Sequence, residues 1–190
     1  MMMTLLRADL HVHTNHSYDS RASIQSIVSQ CVRTGINCLA ITDHGSLEGA
    51  LEVRRIAPFK VIIGEEVKSS AGDIIGLFIK ETIPKHLDPL ETVKAIKHQG
   101  GLVMMPHPFD RVRPSAIGWK VFEEIAPYID IVETFNARNL FDKDDTKAVE
   151  IAERYGLVYA VSSDAHTSRE LGRTYNEMPD FDDTTQGFLS

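Results

Sequence analysis

Short apolar runs alternate along this chain with longer stretches whose apolar positions recur every three or four residues. The short runs, at 6–13, 38–42, 60–67, 74–79, 101–105, 129–135, 157–162 and 174–178, predict strands. The helical spacing covers 23–34, 46–56, 89–98, 115–126 and 144–155. Ser23 is placed to cap the first helix, and Gly35, Gly100 and Gly156 each follow a helix end, where a left-handed residue is needed. Strand and helix in turn, joined by short connections, read as parallel β/α units. The runs VIIG, GLVMM and IDIVETF are almost continuously apolar, as strands covered on both faces are.

Polar residues choose between the two architectures that share this alternation. An open doubly wound sheet gathers its site at one switch point, whereas a closed barrel draws site residues from nearly every strand end. Here polar clusters stand at the C-terminal ends of strand after strand. The pattern therefore predicts an α/β fold, a small, distorted TIM-like barrel of about seven strands.

The 190 residues suit a single domain spanning 1–190. No apolar run approaches the ~18–20 residues that cross a bilayer, and the opening MMMTLLRADL lacks the pattern of a secretory leader. Cys31 and Cys38 form no CxxC and read as buried thiols, so a cytoplasmic location is expected. A net charge of −7 argues against an extended nucleic-acid surface. It does not exclude a phosphorylated substrate, because divalent ions in one pocket reverse the local field.

Five polar groups carry the candidate chemistry. In DLHVHTNHSYDS, His11 and His13 lie two apart in a strand, so both imidazoles face one side, and Asp19 follows in the loop. AITDHG places Asp43 and His44 at a strand end, and in VIIGEEV the adjacent Glu65 and Glu66 must point to opposite sides. MMPHPFDR holds His107 between two prolines, and VSSDAH repeats the i, i+2 spacing with Asp164 and His166. One such group reads as a cap or a hydrogen-bonded core histidine; five in succession do not. Imidazole and carboxylate without thiolate suit Zn, Mn or Fe, with Mg also admitted. So many donors exceed the needs of one ion and point to two or three divalent ions bridged by a carboxylate.

Together these stretches, with IVETFN between the last two, resemble the polymerase and histidinol phosphatase (PHP) family of metallophosphoesterases, and within it the small stand-alone TrpH-type members. The matches run in the family's order over about residues 8–175. The resemblance implies a distorted (β/α)7 barrel with three metals. His11, His13, Glu66 and Asp164 would bind the first, Glu66 would bridge to a second held by His107, and Asp19, His44 and His166 would bind the third. The family's G-x-E pattern after Gly64 selects Glu66 over Glu65. Many relatives carry a histidine ligand just beyond the bridging Glu; the matching position here is Asp73, expected as a ligand of the second metal.

Arg111, Arg113 and Arg138 follow site strands and are candidates to clamp phosphate oxygens, Arg138 foremost, with Glu133 and Asn136 before it facing the pocket. His86 and His98 fall in the helical layer. The expected function is hydrolysis of a phosphomonoester by a metal-activated hydroxide, the partner being a small phosphometabolite, a nucleotide or the end of a short oligonucleotide. An amidohydrolase-type metallohydrolase is an alternative, although no strand-borne lysine is placed to bridge two ions. A non-catalytic PHP scaffold is another, although it should show eroded ligands.

Overall fold

The computed structural model describes residues 5–190; residues 1–4, which open the segment inspected for a leader, lie outside them. The elements follow in the order β1 (Leu5–Val12), α1 (Ile24–Thr34), β2 (Cys38–Ile41), α2 (Glu48–Ile56), β3 (Lys60–Ser69), β4 (Gly72–Leu77), α3 (Pro89–His98), β5 (Leu102–Met105), α4 (Gly118–Ile125), β6 (Ile131–Asn136), α5 (Asp142–Tyr155), β7 (Val158–Ser162), β8 (Asn176–Pro179) and α6 (Thr185–Phe188). Ser23 accepts the Ser26 N–H as the cap of α1, and Gly35 and Gly156 end α1 and α5 with φ of 78° and 65°. At these angles a side chain would clash with its own backbone.

The strands form one sheet in the order β7-β6-β5-β4-β3-β2-β1-β8. Its ends approach each other and nearly close a barrel. At the top, Val12 bridges Ala165 in parallel, and the His13 N–H donates to Ala165 O at 2.9 Å. At mid-height Asn176 stitches the seam with its side chain. Its Nδ2 donates to Ala8 O (2.9 Å) and Val161 O (2.8 Å), and the Val161 N–H donates to its Oδ1 (2.8 Å). Asn176→Ala leaves three backbone groups without partners. We expect it to destabilise the metal-free protein by about 2 kcal/mol in urea unfolding; a loss under a few tenths would mean that water replaces the stitch.

Parallel pairing fails in one place that matters for the site. Two residues, Ser70 and Ala71, join β3 to β4, far fewer than a parallel crossover needs, so β4 runs antiparallel to both β3 and β5. The start of β4, with Asp73, therefore lies at the same barrel end as the finish of β3, with Glu66.

Two apolar cores divide the interior. The outer one seats Ile27, Cys31, Val53, Val93, Ile96 and Phe122 of the helices against Leu39, Ile41, Val103 and Val132 of the strands. The inner one holds strand residues such as Leu6, Leu10, Ile62, Ile75, Met104 and Ile131, and includes Phe188 of α6. Phe188 meets Phe78 and Phe181 edge-on and plugs the lower end of the barrel. Cys31 and Cys38 are free and buried, and burial pushes both thiols up to about 12. No helix among the described residues is long and apolar enough to cross a membrane.

Candidate metal centre

Above the inner core, the upper end of the barrel is lined by imidazoles and carboxylates. A bulge in β1 aims the first pair. Between Asp9 and Val12 the strand gains one residue against β2, so Leu10 and His11 both end on the inner side. Regular alternation from Leu6, Ala8 and Leu10 would have turned His11 and His13 toward the helices. A register shift in β6 does the same for Asn136, which turns inward while Phe135 faces out.

Glu66 is the hub. Its Oε2 stands 3.0 Å from His11 Nε2 and 3.1 Å from His13 Nε2, while its Oε1 stands 3.1 Å from His107 Nε2. The two imidazole Nε2 atoms are themselves 3.1 Å apart, and Asp164 Oδ1 lies 3.4 Å and 3.6 Å from them. Four donors tetrahedral about an ion at about 2.0–2.1 Å would be separated by about 3.3 Å, so these spacings have the size of a metal's ligand shell. A further group surrounds Asp19 Oδ2, with His166 Nε2 at 3.3 Å and His44 Nε2 at 3.5 Å; His44 Nε2 also lies 3.5 Å from Glu66 Oε2. Three overlapping sets meet the spacing a cation requires: His11, Glu66 and His107; His11, His13 and Asp164; His13, Asp19 and His44.

The outer nitrogens of three of the five histidines are held in the manner of metal ligands. His11 Nδ1 faces Glu133 Oε1 (3.1 Å), His44 Nδ1 faces Glu66 O (3.0 Å) and His166 Nδ1 faces Asp164 O (2.8 Å). An oxygen on Nδ1 fixes the proton there and leaves the Nε2 lone pair for the cluster. Glu133 also accepts from the His107 N–H at 2.6 Å and from Asn136 Nδ2 at 2.8 Å. His107 and Asp164 take positive φ, 29° and 50°, a strain that accumulates where function fixes the backbone.

Protons stand in for cations in the electrostatics. Burial alone would push His11 down, yet Asp164, Glu66 and Glu133 hold it well above the ordinary histidine value. Burial likewise opposes His44, but its bond to Asp19 and the Glu66 charge raise it to about 9. His166 is raised by Asp19 and Asp164 against its burial. His13 goes the other way, lowered by burial. Glu66, Asp19 and Asp164 are held below the carboxylate range by these histidines despite desolvation. Asp164 Oδ1, Asp73 Oδ1, His13 Nδ1 and His107 Nδ1 are buried without a hydrogen bond. Convergent lone pairs and unpaired carboxylate oxygens fit divalent cations.

Other expected residues take different places. Asp73 lines the same cavity of about 620 Å³ but stands outside the three tight sets; burial and the Glu66 charge raise its carboxyl. Glu65 points out of the barrel and accepts the Ile83 N–H at 2.8 Å. Asp43 is buried beneath the site, where it accepts from the Thr14 N–H and hydroxyl. Arg111, expected as a clamp, turns away: it pairs with Asp144 at 2.6 Å and lies over Phe141. Asn136, expected to meet substrate, is fully buried and donates to Glu133 and Asp164, so it supports ligands. Arg138 does line the cavity, 3.6 Å from Glu170, and so does Arg113, whose Nη1 donates to Asp164 Oδ2 at 2.6 Å. Glu133, expected to face the pocket but given no role by the sequence, is a further site carboxylate; like the Glu65–Glu66 pair it interrupts an apolar strand. A larger cavity of about 880 Å³ opens at the other end of the barrel, but its Lys60 and Asp183 pair with each other, and among the described residues no set of metal-ligating side chains converges there.

A model of the PHP domain matches residues 9–112, and a PHP-associated model matches residues 144–190. An uncharacterized protein of Methanocaldococcus jannaschii is 38% identical over 145 residues, 70% of this chain and 82% of its own length. Among solved structures, a two-domain protein of Bacteroides vulgatus containing a predicted PHP-like metal-dependent phosphoesterase superposes with a TM-score of 0.77 at 19% identity. The superposition covers 97% of this chain and 61% of that one. An amidohydrolase of Chromobacterium violaceum superposes with a TM-score of 0.70 at 17% identity, over 90% of this chain and 92% of its own. These two likenesses concern the fold.

Proposed function

Since the chain belongs to the PHP family, we propose that it is a phosphoesterase that hydrolyses a phosphomonoester over a cluster of divalent ions held at the upper end of the barrel. One observation carries the reading: Glu66 turns one oxygen to His11 and His13 and the other to His107, as a bridging carboxylate must. In this reading His11, His13, Glu66 and Asp164 hold a first ion, Glu66 and His107 a second with Asp73 as its added ligand, and Asp19, His44 and His166 a third. Nitrogen and oxygen donors suit Zn, Mn or Fe. Bound ions of this kind lower the pKa of water and neutralise phosphoryl charge.

The chain's own groups complete the chemistry. Arg113 and Arg138 line the open side of the cavity, where guanidinium forks hold phosphoryl oxygens. Glu133 and Asn136 keep His11 and Asp164 at fixed angles, so the ligand set need not reorganise on binding. The test is a panel of phosphomonoesters and N-acyl amides offered to metal-reconstituted protein. Phosphate release that chelation abolishes supports the reading; cleavage of amides alone would replace it with the amidohydrolase alternative.

Asp73 supplies a separate check. Its unpaired buried oxygen beside Glu66 and His107 would face the second ion. Asp73→Ala should lower the bound-metal stoichiometry by about one ion, and Asp73→His should restore it with a shift toward Zn over Mn. Unchanged metal content in the alanine variant would remove Asp73 from the ligand set.

A further inference from the structure

A second cavity of about 540 Å³ adjoins the metal centre and shares Tyr18, His44, Glu66 and Lys68 with it. Its far side is formed by residues 82–86 after β4. This wall and the residue after it are pinned to β3 and to the β3–β4 turn at three points. Glu65 Oε2 accepts the Ile83 N–H (2.8 Å), Lys68 O accepts the His86 N–H (2.6 Å), and Leu87 O accepts the Ser70 N–H (2.8 Å). His86, expected in the helical layer, thus stands at the rim of the site end. The second carboxylate of the Glu65–Glu66 pair also gains a purpose, since it holds the wall rather than an ion.

The contents of this cavity differ from those of the centre. Tyr18 is 77% exposed, yet its ring is ordered by stacking on His44, with centroids 5.2 Å apart and planes at 26°. One face of the tyrosine covers a candidate ligand, and the rest of the ring stays open at the junction of the two cavities. Lys68, Pro84 and Lys85 line the same cavity. Among the described residues, the carboxylates lining it are Glu65, which accepts the Ile83 N–H, and Glu66, which faces the histidines. On a chain with a net charge of −7, a pocket lined by an exposed aromatic ring and two lysines suits an anion that carries a flat group.

We propose that this cavity is the subsite for the alcohol half of the ester, and that it takes a flat ring against Tyr18 and a second anionic group on Lys68 and Lys85. Tyr18, Lys68 and Lys85 are then specificity residues, and Glu65 is a positioning residue for the wall. The inference rests on the phosphoesterase reading for the orientation of its ligand, and it narrows that reading to ring-bearing esters with a further negative charge.

Three phosphomonoesters separate the contributions: glycerol phosphate, phenyl phosphate and 4-carboxyphenyl phosphate. The matching phenyl- and 4-carboxyphenylphosphonates read binding to metal-loaded protein without turnover. Lys85→Glu should weaken the carboxyphenylphosphonate about tenfold relative to the phenylphosphonate, through KM rather than kcat for the corresponding esters. Tyr18→Ala should lower the preference for both aryl compounds over glycerol phosphate by about tenfold. Equal effects on all three compounds, or none, would overturn the subsite. If the phosphonates bind with this dependence on Tyr18 and Lys85 but no ester is hydrolysed, the subsite stands and the phosphoesterase reading falls. If esters are hydrolysed without it, the reverse holds.

Discussion

Glu66→Gln is expected to abolish phosphoester hydrolysis by about a thousandfold or more while the barrel stays folded. The amide keeps the size of the side chain and can still accept from one partner. It loses the charge that allows two cations to sit on either side of one group, and one of its ends becomes a donor facing His11 and His13 or His107. Metal analysis should show at least one ion lost per chain, and circular dichroism should match the parent. A variant that retains the parent rate and metal content would move the bridge elsewhere. Glu65 is a poor substitute, because it points out of the barrel to the Ile83 N–H.

The second large effect is on the pH dependence of metal binding. In the metal-free protein, His11 and His166 stand above their ordinary range and His44 stands at about 9 against its usual 6.5. These raised groups favour the metal-free fold fully below about 6.5, and that contribution is lost as pH rises through about 9 for His44. An ion must displace the same protons, so its affinity runs in the opposite sense. Apparent association at the set of Asp19, His44 and His166 should rise about ten- to hundredfold per pH unit between about 6.5 and 9, then level off. Competition with a chelating dye at several pH values measures this slope, and calorimetry in buffers of different ionisation heat counts the protons released. A flat profile would mean that these histidines are neutral before metal arrives, against the carboxylates packed around them.

Much of the architecture was legible because its signals are local. The spacing of apolar positions marked every strand of the barrel and the five long helices, and Ser23, Gly35 and Gly156 bounded two of them as caps. H-x-H, G-E-E and D-x-H at successive strand ends gathered the chemistry at one pole, since the end of a parallel strand is also the end of the barrel. The reversal of β4 was visible only as a missing helix between two apolar runs, and reading every unit as parallel overlooked it. Of the arginines, sequence order could not tell Arg111, which reaches from the β5–α4 loop to Asp144 of α5, from Arg113 of the same loop, which meets Asp164.

The sequence by itself determined which residue types reach the upper end of the barrel, because covalent order and strand length set that. Only the tertiary structure decided which way they face. The bulge after Asp9 lies where β1, paired with β2, also meets Ala165 at the seam through Val12. That one extra residue turns His11 and His13 inward, toward Glu66. Likewise, Glu66 faces the histidines and Glu65 braces because adjacent residues of a strand take opposite faces, and the wall that needs bracing is built by residues 82–86, which return to β3 from beyond β4. Such choices depend on long-range pairing, which no local pattern encodes.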